Sequence, residues 1–136
     1  MTNNSRRKFI TTAATLAATA PVATANIGNM EKAKYPLVHH VFFWLKNPGS
    51  TADRDRIVEG LKTLKGIKAI KELRIGIVAD TEKRDVVDSS WAVSELMFFE
   101  DTKGQAEYQV HPIHQKFIKD CGHLWEKVIV YDAIDV

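Results

Sequence analysis

The sequence predicts an α+β domain with the element order β-α-β-β-α-β, in which a four-stranded antiparallel sheet carries both helical regions on one face. Three observations predict it. Four apolar and aromatic runs alternate with two stretches of helical periodicity in this order. Turn-forming or charged residues separate the runs. The chain that follows residue 25 is also long enough for one compact domain and no more.

The first strand and the first helix are joined by a turn sequence. Residues 37–46 form a continuous apolar and aromatic run that ends in Asn-Pro-Gly at 47–49. Ser50 or Thr51 then begins a helix with acidic residues in its first turn. Apolar residues at helical spacing give this helix one buried face, and Gly66 is expected to end it.

The second half of the domain repeats the alternation of strand and helix. Two strands with period-two alternation are predicted at 70–78 and 90–99, with a charged loop at 80–89 between them. A helical region follows at 101–124. Pro112 indicates a break and restart in it, because proline lacks an amide hydrogen and fits the first turn of a helix. The last strand is predicted at 127–134.

The first strand places apolar or aromatic side chains on both faces of the sheet. Because side chains alternate along a strand, Val41 and Phe43 point to one face and Phe42 and Trp44 to the other. Helices on one side can cover only one face, and monomers rarely expose large apolar patches. A second copy of the chain is the simplest cover for the other face. The sequence therefore predicts a homodimer and leaves open which face is the interface.

A basic motif and a weakly apolar segment lie at the beginning of the chain. The hexamer Ser-Arg-Arg-Lys-Phe-Ile at 5–10 precedes an acid-free run of mostly Ala and Thr. This arrangement is typical of a twin-arginine export signal. The run is too short and too weakly apolar for a stable membrane span. A disordered basic segment or an uncleaved anchor is the alternative interpretation.

The export interpretation divides the chain into three parts. Small residues at 23–25 fit a signal peptidase site, which predicts a signal peptide at 1–25, a linker at 26–36 and a domain at 37–136. The export machinery is then one partner of the chain, and the mature protein is periplasmic or secreted. Because no stable span is predicted, the mature form is expected to leave the membrane.

Composition excludes further classes of function. Three of the 19 basic residues and none of the 17 acidic ones lie in 1–25, so the remainder has a formal charge of −1. It contains no polybasic patch, and nucleic acid is not an expected partner. Cys121 is the only cysteine, so no intramolecular disulfide can form. The fold must therefore depend on its apolar core.

The densest group of titratable side chains lies in Tyr-Gln-Val-His-Pro-Ile-His at 108–114. Tyr108, His111 and His114 recur at three-residue intervals and can lie near one another. Imidazole exchanges a proton near neutral pH, and a phenol can donate a hydrogen bond to a developing oxyanion. His39 on the first strand adds an imidazole. An acid/base site and a set of half-buried packing residues both fit this pattern.

Sequence motifs for cofactors and metals are scarce. His111 and His114 with His39 or Asp85 could bind zinc, but no Cys pair or His-x-x-x-His spacing supports this. The sequence also has no Gly-rich phosphate loop, no Gly-x-Ser-x-Gly and no Rossmann pattern. We therefore predict neither a metal nor a cofactor.

Five segments together resemble the stress-responsive A/B barrel (Dabb) family, across about residues 37–134. The most specific is Tyr-x-x-His-Pro-x-His with an upstream histidine on a strand. The segments lie at 39–46, 84–88, 98–101, 108–114 and 125–128. The resemblance implies a ferredoxin-like α+β fold that dimerises into an α+β barrel.

The resemblance also implies two functions. Most members have no assigned activity and are described through stress induction, so we expect an exported homodimer that binds a small hydrophobic ligand or is associated with a stress response. Some relatives are plant polyketide cyclases, in which the residues matching Tyr108 and His114 handle protons in an aldol condensation. The alternative is therefore an acid/base lyase or cyclase acting on a carbonyl compound through Tyr108 and His114. The ligand-binding candidates are His39, His111 and Trp125. An accessory protein exported with a partner is a third class.

Overall fold

The computed structural model describes residues 32–136. Four strands and three α-helices follow one another, and two short 3-10 turns at Thr63–Gly66 and Gly122–Leu124 extend the helices before them. The bounds are β1 Leu37–Leu45, α1 Thr51–Lys62, β2 Glu72–Ile77, β3 Val93–Phe99, α2 Thr102–Val110, α3 Pro112–Cys121 and β4 Trp125–Ile134. The predicted signal peptide at 1–25 and the first part of the predicted linker lie outside the described residues.

The four strands form one antiparallel sheet in the order β2-β3-β1-β4. At its centre, Val41 lies opposite Glu95 on β3 and Val130 on β4. The predicted α+β class with a ferredoxin-like element order is confirmed. Among residues 32–136, no helix has the length and hydropathy that a bilayer span requires.

The helix boundaries follow from local capping. The Ser50 hydroxyl accepts a hydrogen bond from the Asp53 amide at 3.2 Å, which satisfies one free donor in the first turn of α1. The Asp101 carboxylate caps α2 in the same way, because it accepts a hydrogen bond from the Gly104 amide at 2.8 Å. Pro112 occupies the first turn of α3, so the single predicted helical region is divided into two helices.

The helices pack on the face of the sheet that carries Val41 and Phe43, which are 4% and 3% exposed. Met97 and Phe99 of β3 are fully buried beneath the same helices. Helices α1 and α3 approach closely at Gly60, where an added Cβ would lie 2.7 Å from the Cys121 sulfur. The single cysteine is therefore a buried packing residue in the helix contact.

The opposite surface of the sheet, which we call the open face, has no helix over it within residues 32–136. It carries Phe42 at its centre, whose ring centroid lies 5.1 Å from that of Trp91 and 6.0 Å from that of Tyr131. Half-buried apolar residues of the neighbouring strands lie on the same face, and they are Leu96, Phe98 and Ile129. The structure thus assigns Phe42 to the open face and Phe43 to the core.

Candidate functional site

A cavity of about 230 Å³ lies between the helix-covered face of the sheet and the helices α2 and α3. Most of its wall is apolar, formed by Val41, Phe43, Phe117, Ile118, Trp125, Val128 and Val130. Polar side chains enter it from two strands, β1 and β3, and from the two helices, and these are His39, Glu95, Tyr108, Gln109 and His114. The cavity opens beside β4, where Val128 and Val130 are 38% and 45% exposed because none of the helices in residues 32–136 covers this edge.

His39 is oriented by a carboxylate on the neighbouring strand. It lies opposite Asp132 in the register of β1 and β4, and its Nδ1 is 2.5 Å from Asp132 Oδ1. The carboxylate accepts the Nδ1 proton, so Nδ1 is the ring nitrogen that Asp132 engages and Nε2 is not bound by it. The His39 ring is 4% exposed and lies edge-on to Tyr108, with the two centroids 5.5 Å apart.

Tyr108 on α2 faces a carboxyl group buried in the middle of β3. Its hydroxyl lies 3.3 Å from Glu95 Oε1, and the two residues are 2% and 1% exposed. Burial raises the pKa of Glu95 to about 8, only partly opposed by the hydrogen bond from Tyr108, so the carboxyl is mostly protonated at neutral pH. Burial and the adjacent Glu95 raise the pKa of Tyr108 well above its ordinary value. The phenol therefore stays neutral and serves as a hydrogen-bond donor.

His114 on α3 is suited to accept a proton, whereas Tyr108 is suited to donate a hydrogen bond. Its Nδ1 lies 3.0 Å from the Gln109 carbonyl oxygen, which accepts the Nδ1 proton and leaves Nε2 free to accept one. Burial lowers the pKa of His114, and nearby His39 adds to this effect, while the Gln109 hydrogen bond opposes it. The ring is therefore neutral at neutral pH. Its centroid is 4.3 Å from that of Tyr108.

The structure brings four of the five site residues predicted from sequence to this cavity and places the fifth elsewhere. Trp125 joins His39, Tyr108 and His114 in the lining. His111 does not line it. Its Nδ1 accepts a hydrogen bond from the Ile113 amide at 3.1 Å, because the side chain caps the N-terminus of α3.

Glu95 is a site residue that the sequence reasoning missed. The signal was present as a single acidic residue at an inward position of a strand whose other inward residues are Val93, Met97 and Phe99. A charged side chain at such a position is rare unless it is paired or functional. Period-two alternation places Glu95 on the buried face, but it does not show that Tyr108 lies above it.

The arrangement suits proton transfer on an uncharged molecule. Tyr108 offers a neutral donor, and His114 offers a neutral base beside it. Neither Lys nor Arg is among the described residues that line the cavity. Within residues 32–136, no three His, Cys, Asp or Glu side chains are grouped as the ligands of a metal ion would be.

Comparisons with solved structures show what the fold is similar to. A Dabb family protein with a ferredoxin-like fold from Mesorhizobium loti is 23% identical with a TM-score of 0.60, covering 75% of this chain and 98% of that chain. A dimeric ferredoxin-like protein of unknown function from a Jannaschia species is 26% identical with a TM-score of 0.55, covering 71% and 96%. A hydroxynitrile lyase from Passiflora edulis is 19% identical with a TM-score of 0.59, covering 76% and 96%.

Comparison at the sequence level identifies the family. No curated protein sequence matches the chain. The family profile described as Stress responsive A/B Barrel Domain, or Dabb, matches residues 37–135. This match runs from the first residue of β1 to just beyond the last residue of β4 and covers most of the chain. The chain therefore belongs to the stress responsive A/B barrel domain family.

Proposed function

We propose that the protein is a homodimer that binds a small, uncharged hydrophobic ligand in the cavity between the sheet and helices α2 and α3. The observation that carries this proposal is a cavity of about 230 Å³ with apolar walls, into which hydrogen-bonding groups project. The described lining offers an anionic ligand neither Lys nor Arg as a compensating cation, which favours an uncharged one. An association with a stress response is part of the proposal and is supported by the family name.

Ligand retention tests the binding proposal directly. We expect native mass spectrometry of protein purified from its own host to show a small organic molecule bound to the folded chain. Val41→Phe should lose this molecule, because Val41 is buried in the cavity wall and a larger side chain fills the space. Val86→Ala, at an exposed loop position, is the matched control and should retain it. Wild-type protein that neither carries nor takes up a molecule from host extract would contradict the proposal.

The homodimer is supported by the open face. Its aromatic cluster around Phe42 has the character of a sheet surface that packs on another sheet. The Jannaschia neighbour is described as dimeric, as are two further neighbours of unknown function from Bacteroides fragilis and Thermobifida fusca. A second copy placed on the open face would leave the cavity on the outer, helix-covered side of each sheet.

An acid/base lyase or cyclase acting on a carbonyl compound is the second candidate. The specific observation that favours it is the close approach of a neutral donor and a neutral base in Tyr108 and His114. His114 Nε2 would remove a proton α to the carbonyl while Tyr108 stabilises the oxygen that gains charge. The hydroxynitrile lyase from Passiflora edulis indicates that this fold can support lyase chemistry.

We also propose that residues 1–25 direct export by the twin-arginine route to the periplasm or beyond. The double substitution Arg6→Lys and Arg7→Lys should leave precursor in the cytoplasm, whereas Lys8→Arg, which preserves the arginine pair, should be exported. Fractionation followed by N-terminal sequencing measures this, and the exported form should begin near Asn26. An intact N-terminus in the cytoplasmic fraction of wild-type cells would contradict export.

A further inference from the structure

Glu95 is a buried carboxyl group that the proposed function leaves without a role. It is 1% exposed, lines the cavity and lies in contact with the Tyr108 hydroxyl. Burying a carboxyl group costs stability relative to an apolar residue of similar size. Because this cost is met beside the Tyr108 hydroxyl, we look for a role of Glu95 in the cavity.

The groups around Glu95 determine which of its protonation states is stable. Titratable side chains from β1, α2 and α3 line the same cavity, and these are His39, Tyr108 and His114, of which Tyr108 contacts Glu95. Asp132 on β4 is held by His39, and the partner of Glu95 on β2 is the apolar Ile75. The buried residues of α1 are Ile57 and Leu61. Because no described cation lines the cavity, the neutral carboxylic acid is the stable form, and burial raises its pKa to about 8.

The protonation state of Glu95 controls the direction of its hydrogen bond with Tyr108. A carboxylate only accepts hydrogen bonds, so ionised Glu95 holds the hydroxyl hydrogen of Tyr108. A protonated carboxyl has a hydrogen of its own to donate to the Tyr108 oxygen. The hydroxyl hydrogen of Tyr108 is then free to turn into the cavity and reach a ligand.

We propose that Glu95 is a positioning residue that directs the Tyr108 hydroxyl toward the cavity, so that the site prefers uncharged ligands with a carbonyl oxygen while Glu95 is protonated. When Glu95 ionises, its proton passes to solvent and this preference disappears. The inference rests on the proposed function, since it requires a ligand in this cavity. It adds a role for Glu95 and a condition under which the site binds a carbonyl oxygen.

Two probes of matched shape separate the carbonyl contact from hydrophobic binding. Acetophenone carries a carbonyl oxygen, and ethylbenzene of nearly the same shape does not. With a pKa of about 8, Glu95 is about nine-tenths protonated near pH 7 and only a few per cent protonated near pH 9.5. We therefore expect the Kd of acetophenone to rise about tenfold or more over this range. The Kd of ethylbenzene should stay constant.

Two variants assign the effect to its residues. Glu95→Gln has nearly the same shape but cannot ionise, so it should bind acetophenone equally at both pH values. Tyr108→Phe lacks the donor, so acetophenone should bind it as weakly as ethylbenzene at either pH. Isothermal titration calorimetry measures each Kd. In the ligand-free wild type, the carbon-13 chemical shift of the Glu95 carboxyl carbon should change with a midpoint near pH 8.

The outcomes separate the inference from the proposed function. If ethylbenzene binds but the Kd of acetophenone does not change with pH, the inference fails and hydrophobic binding stands. A pH dependence that persists in Glu95→Gln overturns the inference as well, because another group must then titrate. If neither probe binds, the proposed ligand class fails together with the inference. If the Glu95 carboxyl of the ligand-free protein titrates at the ordinary pKa of glutamate, this result alone overturns the inference.

Discussion

Phe42→Asp is expected to dissociate the proposed homodimer into folded monomers, whereas Phe43→Asp, one residue later, is expected to prevent folding. Phe42 lies at the centre of the open face beside Trp91 and Tyr131, so an aspartate there is buried without a partner only when two sheets pack together. Phe43 is 3% exposed under the helices, so its replacement is buried in the monomer itself. An unpaired buried charge costs several kcal/mol in either place.

Sedimentation velocity and thermal unfolding measure the two effects together. The Phe42→Asp chain should sediment as a monomer with native helical content and a lower melting temperature, because it loses the stabilisation that the partner adds. Val86→Asp is the matched control, since it places the same charge at a fully exposed loop position and should leave both quantities unchanged. A wild-type monomer at micromolar concentration would show that the open face has another role.

The proposed acid/base function predicts that Tyr108→Phe and His114→Ala remove proton transfer in the cavity while the fold persists. A suitable probe reaction is exchange of the methyl protons of acetophenone with deuterium, followed by NMR. His114 Nε2 would remove a proton from the methyl carbon, the Tyr108 hydroxyl would stabilise the enolate oxygen, and a deuteron would return to carbon. On this proposal, loss of either group should slow the exchange that the protein accelerates by about 100-fold or more.

Melting temperatures distinguish this result from a structural role. Tyr108→Phe leaves buried Glu95 without its hydrogen-bond partner, which costs about 1–3 kcal/mol and keeps the chain folded. His111→Ala is the control, because His111 caps α3 outside the cavity. It should lose about 1 kcal/mol of stability and no exchange activity. Unchanged exchange in Tyr108→Phe and His114→Ala, with lower melting temperatures, would show that both residues only pack.

Much of the fold could be predicted from sequence because its signals are local. Three such signals each span only a few neighbouring residues, and these are the Asn-Pro-Gly turn, the Ser50 cap and the period-two strands. The observed elements follow them closely. The observed boundaries differ from the predicted ones where contacts between distant residues set the end of an element. Strand β4 begins at Trp125 rather than Lys127, because Trp125 pairs with Leu45 across a register irregularity. The division into α2 and α3 follows Pro112, whose effect is also local.

The sequence by itself determined the element order, the two apolar faces of the sheet and the nearness of Tyr108 to His114. Only the tertiary structure decided which face the helices cover, that Asp132 holds His39, and that Tyr108 lies over Glu95. The reason is physical. Periodicity along a chain shows which side chains share a face, but contacts between residues far apart in sequence depend on strand register and helix docking. These are set by the packing of the whole domain.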